Sequence, residues 1–204
     1  MSLDHLSSLV VREIEDSIAA KQKMLQDAGL VAQLARLAQD CHDSLKRGGK
    51  IIFAGNGGSF ADAQHLSAEF VSRFKFDRAP LASLALATNS SAISAVGNDY
   101  GYDQVFSREL EAVARPSDVF IPITTSGNSP NVLKAIEVAR RLELRTACLT
   151  GETGGVAKEL CECLRMPSRE TARIQECHIL VGHILCGLVE AMCLEAPRAA
   201  GDVW

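Results

Sequence analysis

The run Ile51-Ile52-Phe53-Ala54-Gly55-Asn56-Gly57-Gly58-Ser59 decides the fold of this chain. Its apolar part is too short for a helix and long enough for a buried strand, and the glycines release the chain into a helical pattern over residues 60–74. The same construction returns further on, where residues 119–124 lead into Thr125-Ser126-Gly127-Asn128-Ser129-Pro130 and a second helical run. Other short apolar or β-branched runs, at 81–87, 146–149 and 163–166, alternate with helical stretches. Such alternation predicts an α/β fold with a parallel sheet covered by helices.

Before the first strand, residues 3–45 carry helical periodicity. Leu6, Val10, Ile14 and Ile18 recur every four residues, and Ala28-Gly29 interrupts before Leu30, Leu34 and Leu37 resume. The pattern predicts an antiparallel helix pair whose apolar face must pack on the body or on another subunit. A last helix is expected from about Thr171 to Leu194, with Gly182 and Gly187 marking close approach of another backbone. With no linker or low-complexity tract, residues 1–204 read as a single domain in which 1–47 form a helical arm.

Composition narrows the function classes. The 204 residues are 47% hydrophobic, 23% charged and 5% aromatic, which suits one core. Twenty-one Lys and Arg against 25 Asp and Glu leave a net charge of −4, so no overall basic field draws nucleic acid. The seven cysteines lack a paired framework and predict a reducing cytoplasm. The N-terminus has no pattern of a secretory signal. Residues 179–194 are apolar but short for a membrane span and are interrupted by His183 and Glu190, so they read as a buried helix.

Both strand-to-helix turns suit a small anionic ligand. Glycines permit close approach, and a new helix presents unpaired N–H groups and a positive dipole end. An ordinary tight βα turn also accounts for the first loop. In the second, Ser129 is placed as N-cap and Pro130 as first helical residue, while Thr124, Thr125 and Ser126 add hydroxyls that capping leaves unexplained. Neither GxGxxG nor GxxxxGK[ST] is present, which removes the main support for dinucleotide or ATP chemistry.

His65 and Glu69 stand four residues apart and share a helix face, a spacing that serves a metal, an acid/base pair or a plain surface pair. On the last helix Gln175 and His183 are eight residues apart, ~12 Å of rise. Both reach one small site only through long side chains, a bent helix entry or a neighbouring subunit. Cys177 and His178 read as packing residues, and Cys161-Glu162-Cys163 as a strand-edge pair without enough partners for zinc.

With Gly55-Asn56-Gly57-Gly58-Ser59, the Asp62/His65/Glu69 helix, Gly97-Asn98-Asp99, Thr125-Ser126-Gly127-Asn128-Ser129 and Arg173-Ile174-Gln175-Glu176 in order, the chain resembles the phosphoheptose (sedoheptulose 7-phosphate) isomerase family of the sugar isomerase (SIS) superfamily. The resemblance covers nearly the whole chain. It implies a flavodoxin-like three-layer α/β sandwich, a homotetramer with sites at subunit contacts, and interconversion of sedoheptulose 7-phosphate and D-glycero-D-manno-heptose 7-phosphate on the way to bacterial surface heptoses. By resemblance Asn56, Gly57, Gly58, Asn98 and Asp99 touch substrate, and Thr124, Thr125, Ser126 and Ser129 hold the phosphate with Ser59 nearby. His65, Glu69, Gln175 and His183 match the ligands of one zinc ion per subunit; Glu69 and Gln175 also face substrate, and Glu69 and His183 match the proton-transfer pair. The partners implied are the sugar phosphate and further copies of the chain, not nucleic acid or a membrane.

Two positions depart from the family pattern. Thr124 stands where serine is frequent and keeps the hydroxyl, while Ala172 replaces an aspartate found in some members, which leaves no carboxylate there. The rival reading is a non-catalytic SIS module, either a sugar-phosphate sensor or a replication-initiator-associating adaptor. Those readings predict loss of the His65/Glu69/His183 set or an attached DNA-binding domain. Another phosphosugar isomerase is separated only by a panel of substrates.

Overall fold

The computed structural model describes residues 1–195. Five parallel strands form one sheet in the order β2-β1-β3-β4-β5: β1 Ile51–Gly55, β2 Ser83–Ala85, β3 Val119–Ile123, β4 Arg145–Gly151 and β5 Glu162–Met166. Side chains alternate across it. Ile51, Phe53, Val119, Ile121, Ile123, Ala147, Leu149, Leu164 and Met166 pack on one face with α2 (Ala28–Lys46), α3 (Gly58–Val71) and α8 (Thr171–Glu195). Ile52, Ala54, Phe120 and Cys148 pack on the other with α4 (Ser90–Tyr100), α5 (Val105–Val113), α6 (Pro130–Arg141) and the single turn α7 (Ala157–Leu160). Strands buried on both faces explain why β1 and β3 read as continuous apolar runs rather than alternating ones. The result is the expected three-layer α/β sandwich of flavodoxin-like strand order.

The N-terminal pair forms as α1 (Leu3–Gln26) and α2, but the break falls at Asp27, one residue before the expected Ala28-Gly29. There the Asp27 carboxylate accepts from Leu30 N at 2.9 Å and caps α2. Of α1 only Ala20 and Met24 are buried, and Leu6, Val10, Val11, Ile14 and Ile18 lie exposed in a row. Ala20 and Met24 join the core, and polar contacts hold the rest: Ser17 donates to Glu176 at 2.6 Å and Lys21 lies 3.6 Å from the same carboxylate.

Three expected boundaries shift for identifiable reasons. The run 81–87 yields only a three-residue strand, because Leu81 N turns to Phe70 O and Ala87 adopts a positive φ of 62° with its N–H on the Glu109 carboxylate at 2.6 Å. Helix α3 starts at Gly58 and stops at Val71, short of Phe74. It stops because Glu190 of α8, fully buried, accepts from the N–H groups of Phe74, Lys75 and Phe76 at 3.0, 2.7 and 3.3 Å. The Arg78 guanidinium completes this knot, giving Nε to Glu190 at 3.0 Å and its remaining donors to Phe70, Ala79 and Glu69 carbonyls. Helix α8 has the length and hydropathy of a membrane span, yet here Val181, Leu185 and Val189 fill the core and Glu190 sits in this ion pair.

Burial alone raises the Glu190 pKa, but the three backbone N–H groups and Arg78 outweigh it and hold the carboxyl below the usual value. Its stabilisation is therefore present above the unfolded-state carboxylate pKa and is lost as pH falls through the lower folded one. Glu190→Gln leaves the Arg78 charge uncompensated and is expected to cost about 3–5 kcal/mol in urea unfolding at neutral pH. A cost below about 1 kcal/mol, the ordinary worth of a surface pair, contradicts this account of the knot.

Candidate functional site

Strands β1 and β3 are neighbours, with Gly55 opposite Ile123, so the two glycine-bearing turns emerge side by side. In the first, Gly57 takes φ 55° at the N-cap of α3 and contributes no side chain, leaving the first N–H groups of the helix uncapped. Gly55 has no room for a Cβ, which would stand 2.6 Å from Ser59 O, and a Cβ on Gly58 would meet the Gln175 amide. Buried Ser59 lies in the first turn of α3.

In the second turn the expectation that capping explains Ser129 is corrected. Ser129 occupies the N-cap position of α6 and makes no cap hydrogen bond; its hydroxyl pairs with Thr124 Oγ1 at 3.1 Å. Of the first positions of α6, Pro130 has no N–H, Val132 N donates to Asn131 Oδ1 at 3.0 Å and Leu133 N to Ser129 O at 2.9 Å, so the Asn131 N–H and the positive dipole end are what the helix start offers an anion. Ser126 Oγ accepts from Asn128 N at 3.1 Å, and Asn128 Oδ1 accepts from Val156 N at 2.9 Å. Gly127, at φ 68°, lies against the backbone of Gly154 and Gly155, while Thr125 O accepts from Gly151 N at 3.0 Å. Segment 151–156 therefore backs the hydroxyl-bearing turn.

A buried residue absent from the sequence reading ties the turns together. Asn131 in the first turn of α6 exchanges two hydrogen bonds with Asn56, at 2.8 and 2.9 Å. Tyr102 O–H adds a third at 3.3 Å to Asn56 Oδ1. The Asn56 side chain is thereby committed to the scaffold. Asn98 and Asp99, at the exposed end of α4, bond to each other at 2.7 Å, and it is Tyr102, beyond the turn at Gly101, that reaches the first loop. A cleft of about 90 Å³ lies between them, lined by Asn56, Gly57, Ala87 and Tyr102 among others.

Helices α3 and α8 run parallel along one seam. Gly58 meets Gln175, Leu66 meets Gly182 and Phe74 meets Gly187. A Cβ on Gly182 would stand 2.5 Å from Leu66, so glycine sets the close approach that brings His183 to His65. Their Nε2 atoms are 2.9 Å apart, and Glu69 Oε1 is 3.3 Å from His65 Nε2. Phe74 stacks on the His183 ring at 5.5 Å and 20°. His65, Glu69 and His183 place their ligand atoms within 4.8 Å of one another. Two imidazole nitrogens and a carboxylate with an open side match the donor set of a catalytic zinc or similar divalent ion. Gln175 stands two helical turns away at Gly58, and α8 runs through without a break, so one chain gathers three of the four expected ligands. Buried His178 stays neutral, its pKa pushed down to about 4 by desolvation, which matches its reading as a packing residue.

Asn131→Ala removes both amide bonds and leaves Asn56 half-paired, at an expected cost of about 1–3 kcal/mol in stability. Amide hydrogen exchange at residues 57–59 should accelerate in the variant. Unchanged exchange there would mean that the loop holds its shape without Asn131.

The SIS domain family model matches residues 15–151. Phosphoheptose isomerase 2 of Campylobacter jejuni is 47% identical over 189 residues, 92% of this chain and 94% of that protein. The phosphoheptose isomerase of Akkermansia muciniphila is 52% identical over 87% of this chain and 91% of its own. The solved phosphoheptose isomerase of Neisseria gonorrhoeae superposes with a TM-score of 0.85 at 39% identity, covering 91% of this chain and 99% of that one.

Proposed function

The chain belongs to the phosphoheptose isomerase family of SIS-domain proteins, and we propose that it interconverts sedoheptulose 7-phosphate and D-glycero-D-manno-heptose 7-phosphate through an enediol. The observation that carries this reading is the His65/Glu69/His183 cluster on the same helix seam whose entrance is the first glycine turn. The phosphate is assigned to the start of α6 with the hydroxyls of Thr124, Thr125, Ser126 and Ser129, and Ser59 beside it. Asn56, Gly57 and Gly58 face the sugar mainly through backbone, since the Asn56 amide is held by Asn131. Asn98 and Asp99 complete the substrate contacts in this reading.

Proton transfer falls to Glu69 and His183. Glu69 takes a proton from C1 while His183 gives one to the oxygen on C2, forming the enediol. Glu69 then returns a proton to C2 as His183 takes one from the oxygen on C1, which leaves the aldose. Zinc, one ion per subunit, held by His65, Glu69 and His183 with Gln175 as fourth ligand, polarises the sugar oxygens when bound. The ~12 Å between Gln175 and His183 along α8 favours a site completed by a neighbouring subunit. The exposed apolar row of α1, with Ile184 and Leu188 of α8, supports a homotetramer in which residues 1–47 form the arm of a single domain. We place the enzyme in the cytoplasm, early in heptose biosynthesis, with neither nucleic acid nor membrane as partner. The intact His/Glu/His set weighs against a sensor or adaptor role.

Incubated with sedoheptulose 7-phosphate and no ATP or nicotinamide, the purified protein is expected to form the aldose by NMR. No aldose with any divalent metal would defeat the reading. Metal analysis should find one zinc per chain in the wild type and little in His65→Ala, whereas equal zinc in both would move the ion elsewhere.

A further inference from the structure

Four of the seven cysteines lie on the other side of the sheet, Cys41 and Cys186 near each other, Cys177 and Cys193 apart. Burial pushes the thiols of Cys41, Cys177, Cys186 and Cys193 up, and they act as packing. The other three converge at the sheet edge. Cys148 of β4 stands in register with Cys163 of β5, so both side chains leave the same face, and Cys161 lies two extended residues before Cys163 on that face too. The three thiols are near enough to perturb one another, and each S–H is directed at a backbone carbonyl: Cys148 at Leu149 O (3.8 Å), Cys161 at Ala157 O (3.7 Å) and Cys163 at Cys161 O (3.8 Å). Their environment is polar on one side. Thr150, two residues after Cys148 and so on the same face, is fully buried, and its hydroxyl has no hydrogen-bond partner among the described residues. Arg165, opposite Thr150 in register, brings a cation to the same face. Cys161 and Cys163 are partly exposed while Cys148 is buried.

We propose that this cluster is a peroxide-sensitive thiol site, with Cys163 the attacking sulfur and Cys148 the resolving one. The neighbouring thiols of Cys148 and Cys161, then the Thr150 hydroxyl and the charge of Arg165, pull the Cys163 pKa well below the ordinary thiol range. Its two neighbours stay protonated, raised by their place in the same cluster. The Cys163 thiolate attacks hydrogen peroxide, breaking the O–O bond to give a sulfenic acid and hydroxide. The Cys148 thiol then attacks that sulfur, expelling water and closing a Cys148–Cys163 disulfide. Two thiols are oxidised and one peroxide is reduced to two waters overall. Register favours Cys148 as resolver: directly paired strands stand ~4.8 Å apart, inside the Cα range of disulfides, whereas two extended residues span ~6.6 Å, at its upper end. The site lies on the opposite face of the sheet from the His65/Glu69/His183 helices, so it stands whether or not the isomerase reading does.

The test is peptide mapping of the full-length protein after brief hydrogen peroxide treatment and alkylation. Trypsin separates 146–158, which holds Cys148, from 159–165, which holds Cys161 and Cys163. The expected product is these two peptides joined and lighter by two hydrogens, released by dithiothreitol and absent in Cys163→Ser. In Cys148→Ser, dimedone should tag Cys163. Without peroxide, N-ethylmaleimide at neutral pH should label Cys163 at least about 10-fold faster than the solitary, partly exposed Cys193, as its larger thiolate fraction requires. Labelling of Cys163 no faster than Cys193 would overturn the proposal. So would a peroxide product confined to 159–165, or a cross-link that persists in Cys163→Ser.

Discussion

The parallel pairing of β1 with β3 is the constraint on which the site depends. Because α3 leaves β1 toward one face of the sheet and α6 leaves β3 toward the other, their first turns part over the carboxyl ends of two adjacent strands. A crevice opens there by topology alone, as it does at the switch point of doubly wound sheets. The uncapped start of α3 offers backbone donors, α6 adds its positive dipole end and the Asn131 N–H, and both helix starts face one opening. Asn56 and Asn131 then fix the distance between the turns with paired amide bonds. No lysine or arginine is needed at the turns when helix starts and hydroxyl side chains together supply the donors.

The second half of the site is held from behind. Glu190 and Arg78 exclude water from an ion pair that also satisfies three N–H groups and several carbonyls around the end of α3. That knot delivers Phe74 to the face of His183 and anchors the carbonyl of Glu69. Gly182 lets α8 close on Leu66 at the level of His65. Scaffold and cluster are thus linked through the same residues of α8, with Glu190 two turns beyond His183.

Much of this was legible in the sequence because it rests on local chemistry. The strands of residues 51–55 and 119–123 announce themselves as short apolar runs before glycine or hydroxyl turns, and His65 and Glu69 share a face by helical spacing alone. What escaped depends on contacts distant in sequence. Asn131 reads as one more polar residue in a first turn until β1 and β3 are side by side, and nothing in residues 81–87 signals that Ala87 takes a positive φ against Glu109. Ser129 shows the limit of local rules: its position is that of an N-cap, but Thr124 claims the hydroxyl. Cys148 likewise joins Cys161 and Cys163 only through strand register.

The proposed isomerase divides its labour, with proton transfer at the His65/Glu69/His183 cluster and phosphate binding at the α6 turn. Solvent deuterium exchange at C1 and C2 of sedoheptulose 7-phosphate, measured alongside substrate affinity, tests it most directly. Glu69→Gln is expected to lose exchange while still binding the sugar phosphate, and Ser129→Ala to bind more weakly while exchanging normally once saturated. Exchange by Glu69→Gln at the wild-type rate would contradict the claim and place the base elsewhere.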